Sequence, residues 1–286
     1  MGYLILGGTG TVGNTVVNKL LEQGKSVRVL TRSAEKAASL PPGATGVVGD
    51  LQDPGTFQQI FSEAESLFLL NAVVPTELQE GLAAVNEAQR VGTRHIVYIS
   101  VQDVKKGPHI PHFASKIAIE EAIKESGIAY TILRPNNFYQ NDLWLKDVIL
   151  NYGIYPQPIG DAGISRVDVG DIAQAAVNAF MQAGHENKTY TLAGPEPLTG
   201  EDCARVYSDT LGQEVRYGGN DLEGWRQQAL QSMPSWMVYD LQLMFAMFQD
   251  KGLIASEGQI KETETILGKK PRSFRDFVQE AVANWK

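Results

Sequence analysis

Residues 3–13 read Tyr-Leu-Ile-Leu-Gly-Gly-Thr-Gly-Thr-Val-Gly, an apolar run from Tyr3 to Leu6 passing directly into Gly7-Gly8-Thr9-Gly10-Thr11-Val12-Gly13. Beyond it Val12, Val16, Val17, Leu20 and Leu21 recur at helical spacing, and Gly24 follows as a stop signal. The segment therefore reads strand, tight turn, helix. Glycines fall at the first, fourth and seventh positions of the turn, and each has a separate physical task. Gly7 permits the turn, Gly10 lets the backbone approach a pyrophosphate, and Gly13 allows the helix to pack closely on the strand. Thr9, Thr11 and Val12 complete the cradle, where unpaired amides and the positive end of the helix would meet phosphate oxygens. In this strand-turn-helix setting the motif points to a bound dinucleotide.

Working outward, the same alternation repeats. Further β-rich runs occur at Val27 to Leu30, Gly46 to Val48, Leu67 to Leu70, His95 to Ile99 and Tyr130 to Leu133, with helical stretches between them. Asp53 before Pro54, and Thr76 with Gln79 as a capping box, mark helix starts. Apolar strands alternating with helices imply a parallel sheet covered on both faces. The expected fold is α/β, a doubly wound sheet of the Rossmann type. After Pro135 the rhythm breaks: Asn141 to Leu150 and Asp171 to Met181 read as helices, and Thr189 to Leu192 as one more strand. Thr199 with Asp202 opens another helix, the chain beyond Gly218 reads as mainly helical, and Ser273 with Asp276 caps the last helix. Residues 1–150, with a contribution from about 165–192, are expected to form the nucleotide-binding domain, and 151–286 a smaller, mainly helical C-terminal domain for substrate or partner.

Composition narrows the function. With 286 residues, 43% of them hydrophobic and 20% charged, the chain is too apolar to be disordered as a whole. No apolar run approaches the roughly 20 residues of a membrane span, and no basic leader precedes the first strand. The single cysteine, Cys203, allows neither an internal disulfide nor a cysteine metal site, so no metal is expected and a reducing cytoplasm fits best. A net charge of −8 argues against sequence-independent nucleic-acid binding.

Two strand ends refine the ligand. The second strand closes on Leu30-Thr31-Arg32-Ser33, where a carboxylate would grip the 2′-hydroxyl of NAD; Arg32 suits the 2′-phosphate of NADP, or is simply an exposed strand-end arginine. NADP(H) is accordingly expected over NAD(H). The third strand closes on Gly49-Asp50-Leu51, where Asp50 would accept from the adenine amine while Leu51 covers the ring, unless Asp50 only begins a turn.

These segments, with His112-Phe113-Ala114-Ser115-Lys116, Tyr130 to Phe138, and the closing residues Thr263, Thr265, Leu267-Gly268, Pro271-Arg272, Phe274 and Phe277, resemble the NmrA-like branch of the atypical short-chain dehydrogenases. That branch holds NADPH-dependent quinone, triphenylmethane dye, isoflavone and benzylic ether reductases, and also regulators that bind NADP without catalysis. Typical short-chain dehydrogenases use a Tyr-x-x-x-Lys pair, but none of the ten tyrosines here has a lysine four residues later. The resemblance implies a ribose-binding role for Lys116. It puts His112 in the tyrosine's place, as a proton donor, a cap or a surface residue, and Ser100 in the place of the substrate-polarising serine. It also sets Asn71-Ala72-Val73 and Pro135-Asn136-Asn137-Phe138 beside the nicotinamide. Without a strong acid, the acceptor expected is one that delocalises the incoming charge, such as a quinone or cationic dye. Met233, Met237, Met244 and Met247, clustered with aromatic residues, read as an apolar lid over a flat substrate, a domain core or a dimer surface. Two functions stand: an NADPH-dependent reductase of conjugated acceptors, possible as a homodimer, or an NADP(H)-sensing regulator that holds a protein partner.

Overall fold

The computed structural model describes residues 2–285. Strand β1 (Gly2–Ile5) is buried from Tyr3 onward and leads into helix α1 (Thr11–Glu22), whose Val12, Val16, Val17 and Leu20 are buried. There follow β2 (Ser26–Thr31), α2 (Ala34–Ala38), β3 (Ala44–Val48), α3 (Phe57–Phe61), β4 (Ser66–Leu69), α4 (Glu77–Val91) and β5 (His95–Ile99). Then come α5 (Pro111–Glu125), β6 (Ala129–Pro135), α6 (Lys146–Tyr152), β7 (Ile154–Tyr155), α7 (Val169–Met181) and β8 (Lys188–Leu192). The sheet has seven strands in the order β3-β2-β1-β4-β5-β6-β8, and the pairings from β3 across to β6 are parallel. Parallel neighbours of this kind are joined by strand-helix-strand crossovers, whose helices pack back onto the sheet. The strand order reverses at β1, with β2 on one side and β4 on the other, so the loop after β1 opens at the switch point where such sheets bind ligands. The doubly wound fold is as the sequence predicts.

The chain divides into two units. The first runs to Lys105 and adds His112–Arg134 and Val169–Tyr190; the second comprises Lys106–Pro111, Pro135–Asp168 and Thr191–Lys286. Residues 135–150 thus lie with the second unit. Beyond β8 that unit continues with α8 (Gly200–Leu211), β9 (Arg216–Tyr217), α9 (Leu222–Ala229), α10 (Ser235–Lys251), α11 (Glu257–Leu267) and α12 (Phe274–Trp285), and β7 pairs in parallel with β9. Thr199 and Asp202 form the expected reciprocal capping box, and Ser273 Oγ accepts from the Asp276 amide at 3.1 Å.

Two local expectations are corrected. Thr76 does precede α4, but its hydroxyl donates to Glu80 Oε1 at 2.6 Å, so no capping box with Gln79 forms. The Thr76 backbone, at φ −95° and ψ 4°, lacks the extended conformation from which an N-cap hydroxyl accepts the third amide of the helix. The stretch Asn141 to Leu150 is not one helix: residues 139–145 form tight 3₁₀ turns and α6 begins only at Lys146.

The methionine stretch is split by α10: Met247, Phe245 and Phe248 are buried, Met233, Met237 and Met244 are half-buried, and Tyr239 is exposed. Among the described residues no helix is long and apolar enough to cross a membrane, and no His, Cys, Asp or Glu group is arranged to hold a metal.

Candidate functional site

The glycine loop performs two of its three tasks by steric necessity. Gly7 has φ +75°, and a Cβ there would lie 2.7 Å from the Leu70 carbonyl oxygen. A Cβ on Gly13 would lie 2.2 Å from the Gly7 carbonyl oxygen, so the first turn of α1 approaches the β1 end only with hydrogen at that position. Gly10 is the N-cap of α1 and offers no side-chain cap, while its own amide donates to Gly7 O at 3.0 Å. The opening amides of α1, from Thr11 and Val12, are therefore left for another acceptor. The Val12 side chain itself is buried, so only its backbone is placed to serve a ligand.

In front of this loop lies a cleft lined by Gly7 and Thr9 after β1, Arg32, Ser33 and Lys36 after β2, Asp50 and Leu51 after β3, and Asn71 and Ala72 after β4, with Glu80 of α4. All of these belong to the first unit. The predicted Gly7, Thr9, Arg32, Asp50, Leu51, Asn71 and Ala72 are thus brought together along one sheet edge. Asp50 Oδ1 accepts from the Gln52 amide at 2.9 Å, so it does shape a turn while still lining the cleft. Sequence reasoning missed Lys36 and Glu80. Lys36 is carried to Arg32 by α2, whose N-cap Ser33 accepts from the Lys36 amide at 3.2 Å; the signal available was a second cation four residues after the first. The cleft fits a dinucleotide on the structure's own terms: the Gly7–Thr9 turn that lines it runs directly into an uncapped helix start, two cations stand at the β2 end, and the buried Asn71 Oδ1 has no hydrogen-bond partner.

Lys116, Ser100 and His112 do not line this cleft; Ser100 directly follows β5, and His112 and Lys116 sit on α5. Lys116 Nζ donates to Glu77 Oε1 at 2.8 Å, with both side chains almost fully buried, and lies 5.9 Å from the centre of the Tyr98 ring. Ser100 Oγ donates to Glu120 Oε1 at 2.6 Å. Glu120 also receives a bidentate pair from Arg134, at 2.9 Å from Nε and 2.6 Å from Nη2. Burial pushes the Glu120 carboxyl up, but hydrogen bonds from Arg134 and Ser100 outweigh it and hold the group below its ordinary range. His112 is buried in the first turn of α5, edge-on to the Phe113 ring at 4.7 Å.

Pro135 to Phe138 belong to the second unit and are held there. Asn136 Nδ2 donates to the Leu253 carbonyl at 2.7 Å, and Arg166 donates to Asn137 Oδ1 at 3.1 Å and to the Phe138 carbonyl at 2.8 Å. Fully buried Arg166 also forms a 2.7 Å ion pair with equally buried Asp142. Burial alone would lower the arginine's pKa; the facing Asp142 carboxylate reverses that and raises it. The Cys203 thiol beside it is pushed up to about 12, chiefly by burial, and is inert near neutrality.

The model of the NmrA-like family matches residues 3–278. An NAD(P)H azoreductase of Xenophilus azovorans is 30% identical over 284 residues, covering 98% of each chain. A (4-alkanoyl-5-oxo-2,5-dihydrofuran-3-yl)methyl phosphate reductase of Streptomyces griseus is 29% identical over 279 residues, covering 97% of this chain and 96% of its own. An NADPH-dependent quinone oxidoreductase of Escherichia coli, solved with NADPH, superposes with a TM-score of 0.87 at 24% identity, covering 98% of this chain and 99% of its own, a likeness of fold.

Proposed function

We propose that this chain, which belongs to the NmrA-like family and is an NAD(P)H-dependent reductase, prefers NADPH and reduces a quinone-like or other conjugated, electron-poor acceptor. The observation that carries the cofactor reading is the cleft itself, where an uncapped α1 start and the Arg32–Lys36 pair of cations open at one sheet edge. The α1 amides hold the pyrophosphate, and Arg32 with Lys36 holds the 2′-phosphate through charge-assisted hydrogen bonds. Asp50 and Leu51 take the adenine, and Lys116 donates to the nicotinamide ribose. When bound, the reduced nicotinamide supplies the hydride.

The acceptor class follows from what the chain lacks near Lys116. No tyrosine precedes a lysine by four residues, and the Ser100 hydroxyl proton is directed at Glu120. Neither group is set to stabilise a localised alkoxide, so a quinone, azo or dye-like acceptor, which spreads the charge over a conjugated frame, suits the site best.

The test follows NADPH oxidation against a panel of quinones, azo compounds and cationic dyes, with cofactor binding measured alongside. Arg32→Ala is expected to weaken NADPH binding by roughly ten- to a hundredfold, the worth of a charge-assisted contact, and to leave NADH nearly unchanged. Equal losses for both would remove the 2′-phosphate assignment. Tight NADPH binding with no turnover of any acceptor would favour the second reading, an NADP(H)-sensing regulator.

A further inference from the structure

We propose that Glu77 is a positioning residue for the cofactor: its buried carboxylate fixes the Lys116 ammonium so that the ammonium's remaining protons are presented to the nicotinamide ribose. This rests on the ribose-binding role of Lys116 given above.

Glu77 is 1% exposed and Lys116 6%, and one contact of 2.8 Å joins them. A buried pair of opposite charges is costly to desolvate and is repaid only when further hydrogen bonds satisfy both partners. Lys116 is not so satisfied. An ammonium carries three protons, yet Glu77 is its one hydrogen-bond acceptor among the described residues; it also stands 5.9 Å over the centre of the Tyr98 ring. The neighbourhood is underfilled in the same sense. Tyr98 Oη and Asn71 Oδ1 are both buried without a hydrogen-bond partner, one on β5 and the other in the loop just after β4, the strand that pairs with β5. The Tyr98 hydroxyl stays protonated, its pKa raised by burial and then by the Glu77 and Glu120 carboxylates.

Buried polar groups normally find partners. A lysine held at one corner, with two orphaned polar atoms on β5 and the loop after β4, is the arrangement of a site awaiting a polar ligand rather than of a finished structural pair. Glu77 supplies what the missing tyrosine cannot, a fixed point for Lys116. It also ties α5 to the first turn of α4, directly after the Asn71-to-Thr76 loop whose first residues line the cleft.

Calorimetry with NADPH and with adenosine 2′,5′-bisphosphate, which lacks the nicotinamide ribose, separates this role from a general loss of fold. For Glu77→Gln, NADPH binding is expected to weaken on the order of tenfold while the bisphosphate stays within about twofold of the unaltered protein. In a Lys116→Met background, adding Glu77→Gln should cost nothing more, because the carboxylate acts through the lysine. Equal losses on both ligands, or losses that add in the double variant, would overturn the proposal. Should Glu77→Gln alone fail to fold, the double variant, in which neither charge remains, decides against Lys116→Met. Unaltered protein that binds neither ligand would instead sink the cofactor reading itself, whereas Glu77→Gln that binds NADPH normally sinks only this inference.

Discussion

Each unit of the molecule buries an arginine or lysine against a carboxylate, and the two burials differ in how completely they are hydrogen-bonded. In the second unit Arg166 donates to Asp142, Tyr155, Asn137 Oδ1, the Phe138 carbonyl and the Cys203 sulfur, which satisfies its whole planar fork. In the first unit Lys116 meets Glu77 alone, with Tyr98 Oη and Asn71 Oδ1 orphaned nearby in the strand order. A saturated network is a fixture: it pins the Pro135-to-Phe138 loop and admits nothing further. An unsaturated one keeps capacity for a ligand at a cost in stability.

Removing the arginine tests the saturated side most severely. Arg166→Met would strand the Asp142 carboxylate in a fully buried site, and should lower unfolding free energy by about 3–5 kcal/mol in denaturant titration. A loss below about 1 kcal/mol would erase the distinction between the two clusters.

Gly13→Ala acts on the ligand side. The added methyl group meets backbone at 2.2 Å, which only a shift of α1 away from Gly7 can relieve. We expect about 1–3 kcal/mol of lost stability, as for other overpacked sites, together with NADPH binding weakened by well over tenfold. Normal cofactor affinity in this variant would mean that the turn is not the pyrophosphate seat.

The smallest effect is in pH dependence. Because Glu120 titrates below its ordinary 4.5 when folded, its pairing with Arg134 and Ser100 stabilises the protein at higher pH and is lost as pH falls through the folded value. The stability advantage of the unaltered protein over Glu120→Gln should therefore be level near neutrality and shrink on acidification below about pH 4.5. An advantage that grew on acidification would contradict the assigned shift.

The glycine turn, the parallel alternation of strands and helices, Arg32 and the Asp50–Leu51 strand end were legible because each depends on neighbours within a few residues. Lys36 was nearly legible, since it stands one helical turn from Arg32. Glu77 was not. In sequence it is an acidic residue at a helix start, where the helix dipole alone accounts for it, and nothing marks its pairing with a lysine 39 positions later. Ser100 shows the same limit: its strand-end position is readable, but its commitment to Glu120 depends on how α5 packs against β5.

The sequence by itself determined the doubly wound class and the glycine turn between β1 and α1, because backbone freedom at glycine and side-chain periodicity are local properties. Only the tertiary structure decided which buried charges are saturated and which still have bonds to give. Hydrogen-bond satisfaction depends on groups that meet in space across separate helices and strands, and no spacing along the chain encodes that count.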